Sequence, residues 1–177
     1  MKNSKVYIGL INPKSPDNVS AVLRSAGNFR ADSVLYTGTR YPLALQRNPD
    51  APNMSRKVSQ SIPLREVTSL LDSTAGNMKI VCVEFAENAI PLPGYQHPQD
   101  AFYIFGPEDG TISQQVIDKA DAVVYVPTNG CMNLAATVNV VLYDRLSKSA
   151  QRHEGNEHIR NSRDTNNHLR LKLDITT

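Results

Sequence analysis

Three short stretches concentrate the residues able to do chemistry. The first, Asn12-Pro-Lys-Ser-Pro-Asp-Asn18-Val-Ser-Ala-Val-Leu-Arg24, sets an amide ahead of a guanidinium. The second, Phe105-Gly106-Pro107-Glu108-Asp109-Gly110, puts a carboxylate in a glycine-flanked turn. The third, Val126-Pro127-Thr128-Asn129-Gly130-Cys131-Met132-Asn133, ends on a second amide. An arginine cannot give up its proton, so Arg24 can bind a phosphate or stabilise an oxyanion but cannot serve as a base. A glycine lets backbone approach a ligand closely. Each residue also has a plain structural reading. Asn18 and Asn133 stand where helices begin and could cap them, Gly-Pro-Asp is ordinary turn material, and Cys131 could be a small buried apolar residue.

What is missing narrows the classes. The two cysteines, Cys82 and Cys131, form no CxxC pair, and no His, Cys, Asp or Glu spacing fits a metal. Neither a disulfide framework nor a metal centre is expected, which points to a reducing compartment and the cytoplasm. The turn after the first strand, Asn12-Pro-Lys-Ser-Pro-Asp, holds no glycine, and no G-x-G occurs in the chain. That argues against a dehydrogenase, a Rossmann-type methyltransferase and a P-loop enzyme. No apolar stretch approaches the length of a membrane span.

The elements that must position these stretches are legible as alternating strands and helices, the signature of a parallel α/β sheet. Strands are expected at 6–11, 33–36, 78–83, 101–105 and 122–126. Ser15-Pro16 reads as an N-cap with proline in the first turn. Val19, Val22, Leu23 and Ala26 then form one apolar stripe, with Arg24 on the opposite face. Short helices are expected over 64–71 and 112–119. Each chemical stretch follows a strand, and in open parallel sheets ligands bind just outside the carboxyl ends of strands, so one shared site is expected. The last helix, Asn133 to Leu146, is apolar nearly all round and calls for burial on several sides, including a partner surface.

The 177 residues carry a net charge of only +2, so any nucleic-acid binding must come from local patches. Residues 40–63 read as a long loop with four prolines and the basic residues Arg40, Arg47, Arg56 and Lys57, candidates for nucleic-acid phosphate contact. Residues 147–177 are polar and hold six basic against four acidic residues, so the whole positive excess lies there. Residues 1–146 are therefore read as one domain and 147–177 as a mobile basic tail, with Arg152, Arg160, Arg163 and Arg170 as weaker candidates for the same phosphate contact.

Taken together and in order, the three stretches resemble the three motifs of the SpoU/TrmH branch of the SPOUT RNA methyltransferases. Pro16-Asp-Asn18 with Arg24-Ser-Ala26 is similar to the first motif. Gly106-Pro-Glu108 with Gly110 is similar to the second, and Val126-Pro127-Thr128 with Cys131-Met132-Asn133-Leu134 to the third. The likeness spans residues 5 to about 146. It departs in five places: Ser20 and Cys131 replace a glycine and a serine, Ala135 replaces a second serine, Gly110 comes one residue early, and about three residues are missing before Cys131.

The resemblance implies an α/β sheet with a C-terminal trefoil knot and a homodimer formed through the knot region and last helix. It also implies methyl transfer from S-adenosylmethionine, without a metal, to a ribose 2′-hydroxyl of RNA, with tRNA favoured over rRNA for so small a chain. Carried over residue by residue, Arg24 stabilises the alkoxide and reaches into the partner's site, with Asn18, Glu108 and Asn133 beside it in the catalytic group. Glu84, Gly106, Pro107, Val126, Pro127, Cys131 and Met132 surround the cofactor. The altered third motif leaves open a module of the same fold that binds RNA or S-adenosylmethionine without turning over.

Overall fold

Apolar, β-branched runs become strands covered on both faces, and all the strand pairings among the described residues are parallel. The computed structural model describes residues 4–47, 61–150 and 154–171. Its strands are β1 (Val6–Ile11), β2 (Ser33–Thr37), β3 (Leu64–Glu66), β4 (Lys79–Val83), β5 (Ile90–Pro91), β6 (Ala101–Phe105) and β7 (Ala122–Tyr125). They lie side by side in the order β3-β2-β1-β6-β4-β7-β5. The helices are α1 (Pro16–Asn28), α2 (Arg40–Arg47), α3 (Gln114–Ile117), α4 (Leu134–Lys148) and α5 (Asn156–Ser162). Because every strand runs the same way, the loops that follow β1, β4, β6 and β7 all emerge on one edge.

The pleat divides the core in two. On one face Val6, Ile8, Leu10, Val81, Tyr103 and Phe105 pack with Val19, Val22 and Ala26 of α1 and with Leu134, Val138, Val141 and Leu142 of α4. On the other, Cys82, Phe102 and Ile104 meet Leu70, Met78 and Ile112, with Val116 and Ile117 of α3 packed against them. The start of α1 follows its sequence: Ser15 Oγ accepts the Asn18 backbone N–H at 3.3 Å, and Pro16 occupies the first turn.

The far end of α4 is fastened to the segment leading into β6. Lys148 Nζ donates to the carbonyls of Leu92 and Tyr95 at 2.7 and 3.1 Å, and Arg145 to those of Pro98 and Gln99 at 2.6 Å each. His97 bridges the Tyr103 hydroxyl (2.6 Å) and Asp144 (2.8 Å) within this cluster. Burial drives its pKa down, against the pull of Asp144.

Several expectations need correction. Residues 40–47, read as loop, form α2; its only stripe is short, and none of its residues is fully buried. Residues 64–71, read as helix, begin with β3, whose Leu64, Arg65 and Glu66 align with Val34, Leu35 and Tyr36. The Leu64, Val67, Leu71 spacing suits a helix, but an open sheet edge outweighs local propensity. The expected 112–119 helix shortens to α3, and the two-residue β5 and the helix α5 within the tail were not anticipated. Residues Arg56, Lys57 and Arg152 lie outside the described residues.

Candidate active site

The loops leaving β4, β6 and β7 surround one cavity, lined by Val83–Phe85, Phe105–Glu108, Gly110, Tyr125, Val126, Thr128, Cys131, Met132, Leu134 and Thr137. Of the residues expected around a cofactor, Glu84, Gly106, Pro107, Val126, Cys131 and Met132 line it; Pro127 is exposed and does not. Cys131 is exposed, which removes its reading as a buried apolar filler, whereas Cys82 is buried with its thiol pushed up to about 12 by desolvation and then by Glu84.

Gly106 stands where a side chain would be crowded. A Cβ there would sit 3.3 Å from both Glu84 Oε2 and Ile112 Cγ1. Glu84 is itself fixed, its carboxylate accepting the N–H groups of Phe85 at 2.9 Å and Ile112 at 3.0 Å. It thus ties the end of β4 to the loop beyond β6. Phe85 and Tyr125, which sequence reasoning overlooked, form a tilted ring pair at the cavity with centroids 5.8 Å apart. Thr128 was also missed; its Oγ1 donates to the Gly130 carbonyl at 2.8 Å and shapes the third loop. The available signal was position alone, each lying at or just past a strand end.

Beside this cavity the three stretches meet in one polar chain. Asn133 caps α4, its Oδ1 accepting the N–H groups of Ala135 at 2.9 Å and Ala136 at 3.3 Å. That leaves Nδ2 to donate, and it donates to Asn18 Oδ1 at 2.9 Å. Asn18 Nδ2 in turn donates to Glu108 Oε1 at 3.1 Å. Glu108 also accepts the backbone N–H of Lys14 at 2.9 Å and of Ser15 at 3.1 Å. The direction of every bond is set by the ends of the chain, a helix N-terminus that only donates and a carboxylate that only accepts. Burial pushes the Glu108 pKa up, but the Asn18 amide and the N–H donors outweigh it and hold the carboxyl below the ordinary range. Asn133 therefore caps α4 and also holds Asn18, while the cap of α1 is Ser15 and Asn18 braces the second loop instead.

Arg24 is half-buried on α1, makes no hydrogen bond or ion pair among the described residues, and is not among the residues lining the cavity. Arg40 differs from a free cation: its guanidinium holds both Asp109 oxygens at 2.7 and 2.8 Å. Arg47 is exposed at the end of α2. Among the described residues no cluster of three or more His, Cys, Asp or Glu could hold a metal ion, and no helix is long and apolar enough to cross a membrane.

Comparison with known proteins agrees with this geometry. The SpoU rRNA Methylase family matches over residues 5–143. The tRNA (cytidine-2′-O-)-methyltransferase TrmJ of Methanocaldococcus jannaschii is 23% identical over 168 residues, 82% of this chain and 69% of that one. The A. aeolicus TrmH/SpoU tRNA modifying enzyme superposes with a TM-score of 0.65 at 15% identity, covering 82% of this chain and 75% of that one. The SpoU methyltransferase AviRb from Streptomyces viridochromogenes, solved with its cofactor AdoMet, gives 0.66 at 18% identity over 84% of this chain and 59% of that one. With an α/β parallel sheet, three motifs converging at its carboxyl edge and a match over most of its length, the chain belongs to the SpoU rRNA methylase family.

Proposed function

We propose that this chain is an S-adenosylmethionine-dependent methyltransferase acting on a ribose 2′-hydroxyl of RNA, with tRNA as the substrate class. The observation that carries the reading is the Asn133–Asn18–Glu108 chain, which joins all three motifs and ends on Glu108 in the wall of one cavity. The TrmJ relative named for tRNA 2′-O-methylation supports tRNA over rRNA. The cavity suits the cofactor: Phe105, Val126, Met132 and Leu134 supply apolar wall, and Gly106 keeps open a space that a Cβ would crowd.

S-adenosylmethionine, when bound, would supply a methyl group on a sulfonium centre, with the neutral thioether as leaving group. The protein's task is to align the hydroxyl for in-line displacement, take charge of its proton and stabilise the developing oxyanion. Glu84 and Glu108 hold the loop after β6, one to the end of β4 and the other to the loop after β1. Asn18 and Asn133 stand in a fixed orientation beside them. Arg24, permanently cationic, binds a phosphate of the target and stabilises the alkoxide, while the proton passes to a substrate phosphate or to water.

We further read the active unit as a homodimer through the threaded region and α4. Arg24 lies away from its own chain's cavity, so a second copy is the natural recipient of its charge. Tyr143, 63% exposed, and exposed Asn139 lie on α4 away from its buried Val138, Val141 and Leu142, and mark the face available for packing. β7 pairs between β4 and β5, the strands joined by residues 84–89, an order compatible with a knotted connection. Arg47, Arg56 and Lys57 are the proposed phosphate contacts. Residues 147–177 form a polar extension of the 1–146 domain, and the cytoplasm is the proposed place of action.

The test is tritium transfer from labelled S-adenosylmethionine to bulk tRNA and rRNA from cells lacking this gene, with Arg24→Ala alongside. Label in nuclease-resistant, 2′-O-methylated dinucleotides of tRNA, lost in the variant, is the expected result. No labelled RNA while S-adenosylmethionine still binds would replace the enzyme with a non-catalytic binding module.

A further inference from the structure

The second loop is one residue shorter than the pattern the chain resembles, and Asp109 alone separates Glu108 from Gly110. Of residues 106–110, Asp109 alone does not line the cavity. Its carboxylate points to the first loop and to α2, where Arg40 grips it through two parallel N–H···O bonds of 2.7 and 2.8 Å. Lys14 Nζ approaches the same carboxylate at 3.6 Å.

The arginine has a rigid base. The Arg40 backbone N–H donates to Asn12 Oδ1 at 3.3 Å. Asn12 itself sits at φ +42°, and Gly38 at φ +82°, where a Cβ would fall 2.3 Å from Asn12 Oδ1. At the other end, the loop is a tight turn with the Gly110 N–H donating to the Pro107 carbonyl at 3.4 Å. A planar fork at one end and a tight turn at the other leave the loop little freedom.

We infer that Arg40 and Asp109 are a positioning pair for S-adenosylmethionine: they fix the 106–110 loop from behind, and Arg40 contributes to the reaction through cofactor binding rather than by meeting an RNA phosphate. This rests on the reading of the cavity as the S-adenosylmethionine site. Neighbouring Glu108 holds the loop to Lys14 and Ser15, so consecutive carboxylates anchor one loop to two separate elements. The charges support each other: Asp109 raises the Arg40 pKa through their hydrogen bonds, and Arg40 lowers that of Asp109 in the same way.

The experiment measures S-adenosylmethionine affinity by calorimetry and, separately, KM for the cofactor and for tRNA. It uses the full chain and the variants Arg40→Ala, Arg40→Lys, Asp109→Asn and the double Arg40→Ala/Asp109→Asn. A urea midpoint for each variant controls for folding. Arg40→Ala and Asp109→Asn should each weaken the cofactor by about tenfold, with the double variant no worse than either single change. KM for tRNA should stay unchanged, and Arg40→Lys should recover only part of the affinity because it lacks the fork. A raised KM for tRNA with cofactor affinity intact overturns the inference in favour of a phosphate contact. Additive effects, or none, overturn it in favour of an independent surface pair. Wild-type protein that binds no S-adenosylmethionine refutes the reading of the cavity itself, a result distinct from any variant outcome.

Discussion

Glu108→Gln keeps the length of the side chain and removes the charge on which three donors converge. A glutamine oxygen can still accept from Ser15 and from Asn18. The other position becomes an NH2 facing the Lys14 N–H, which now donates at 2.9 Å, so donor meets donor. Hydrogen bonds to a charged acceptor contribute about 1.5–3 kcal/mol each, and water can reach this half-buried site, so a loss of about 2 kcal/mol is expected. For a chain of this size that corresponds to a fall of roughly 1 M in the urea midpoint. The chain has no Trp, so far-ultraviolet circular dichroism is the suitable probe.

The sign with pH is equally defined. The folded Glu108 carboxyl titrates below its ordinary value. Its contribution is therefore fully present above the unfolded pKa and disappears as pH falls through the folded one. The stability gap between wild type and Glu108→Gln should be full at neutral pH and close in acid. Equal stability at neutral pH, or a gap of unchanged size in acid, would show that the carboxylate does not hold the loops together.

Arg24→Ala should leave stability within about 0.5 kcal/mol, since the side chain has no bonding partner among the described residues, while transfer falls at least about a hundredfold; a large drop in the melting midpoint would make Arg24 structural. Mixing inactive Arg24→Ala with inactive Asn133→Ala should restore about a quarter of wild-type activity if each site takes its arginine from the second copy in a randomly reassorted dimer; no recovery after subunit exchange refutes that sharing. Gly106→Ala should weaken S-adenosylmethionine binding measured by calorimetry more than it lowers the urea midpoint, because the added methyl presses on Glu84 and Ile112 beside the cavity. Iodoacetamide should label exposed Cys131 and spare buried Cys82, and S-adenosylmethionine should slow the labelling. Labelling unaffected by saturating cofactor would put the cofactor elsewhere.

The long strands were readable because burial on both faces leaves an unbroken apolar run, as in Val6–Ile11 and Ala101–Phe105. β3 was not, because Leu64-Arg65-Glu66 carries an exposed, charged edge that means strand only when β2 lies alongside. The site residues announced themselves by type and order, yet their partners did not. Nothing local to Asn18 says that it will accept from Asn133 rather than cap its own helix. Arg40 looked like a loop cation for the same reason: its acceptor, Asp109, lies 69 residues away in sequence.

The strand order carries a consequence for how the protein comes into being. Residues 6–37 can pair as soon as they leave the ribosome, since β1 and β2 are neighbours in the sheet. The gap between β4 and β5, by contrast, is filled only when β7 emerges, and Asn18 waits 115 residues for Asn133. Until α4 is made there is no cavity wall at Leu134 and Thr137, and no amide to complete the polar chain. A partly synthesised chain can therefore hold a native-like β1–β2 unit and still offer no place for a ligand. Binding competence arrives with β7 and α4, so a bound cofactor certifies that the whole sheet has closed.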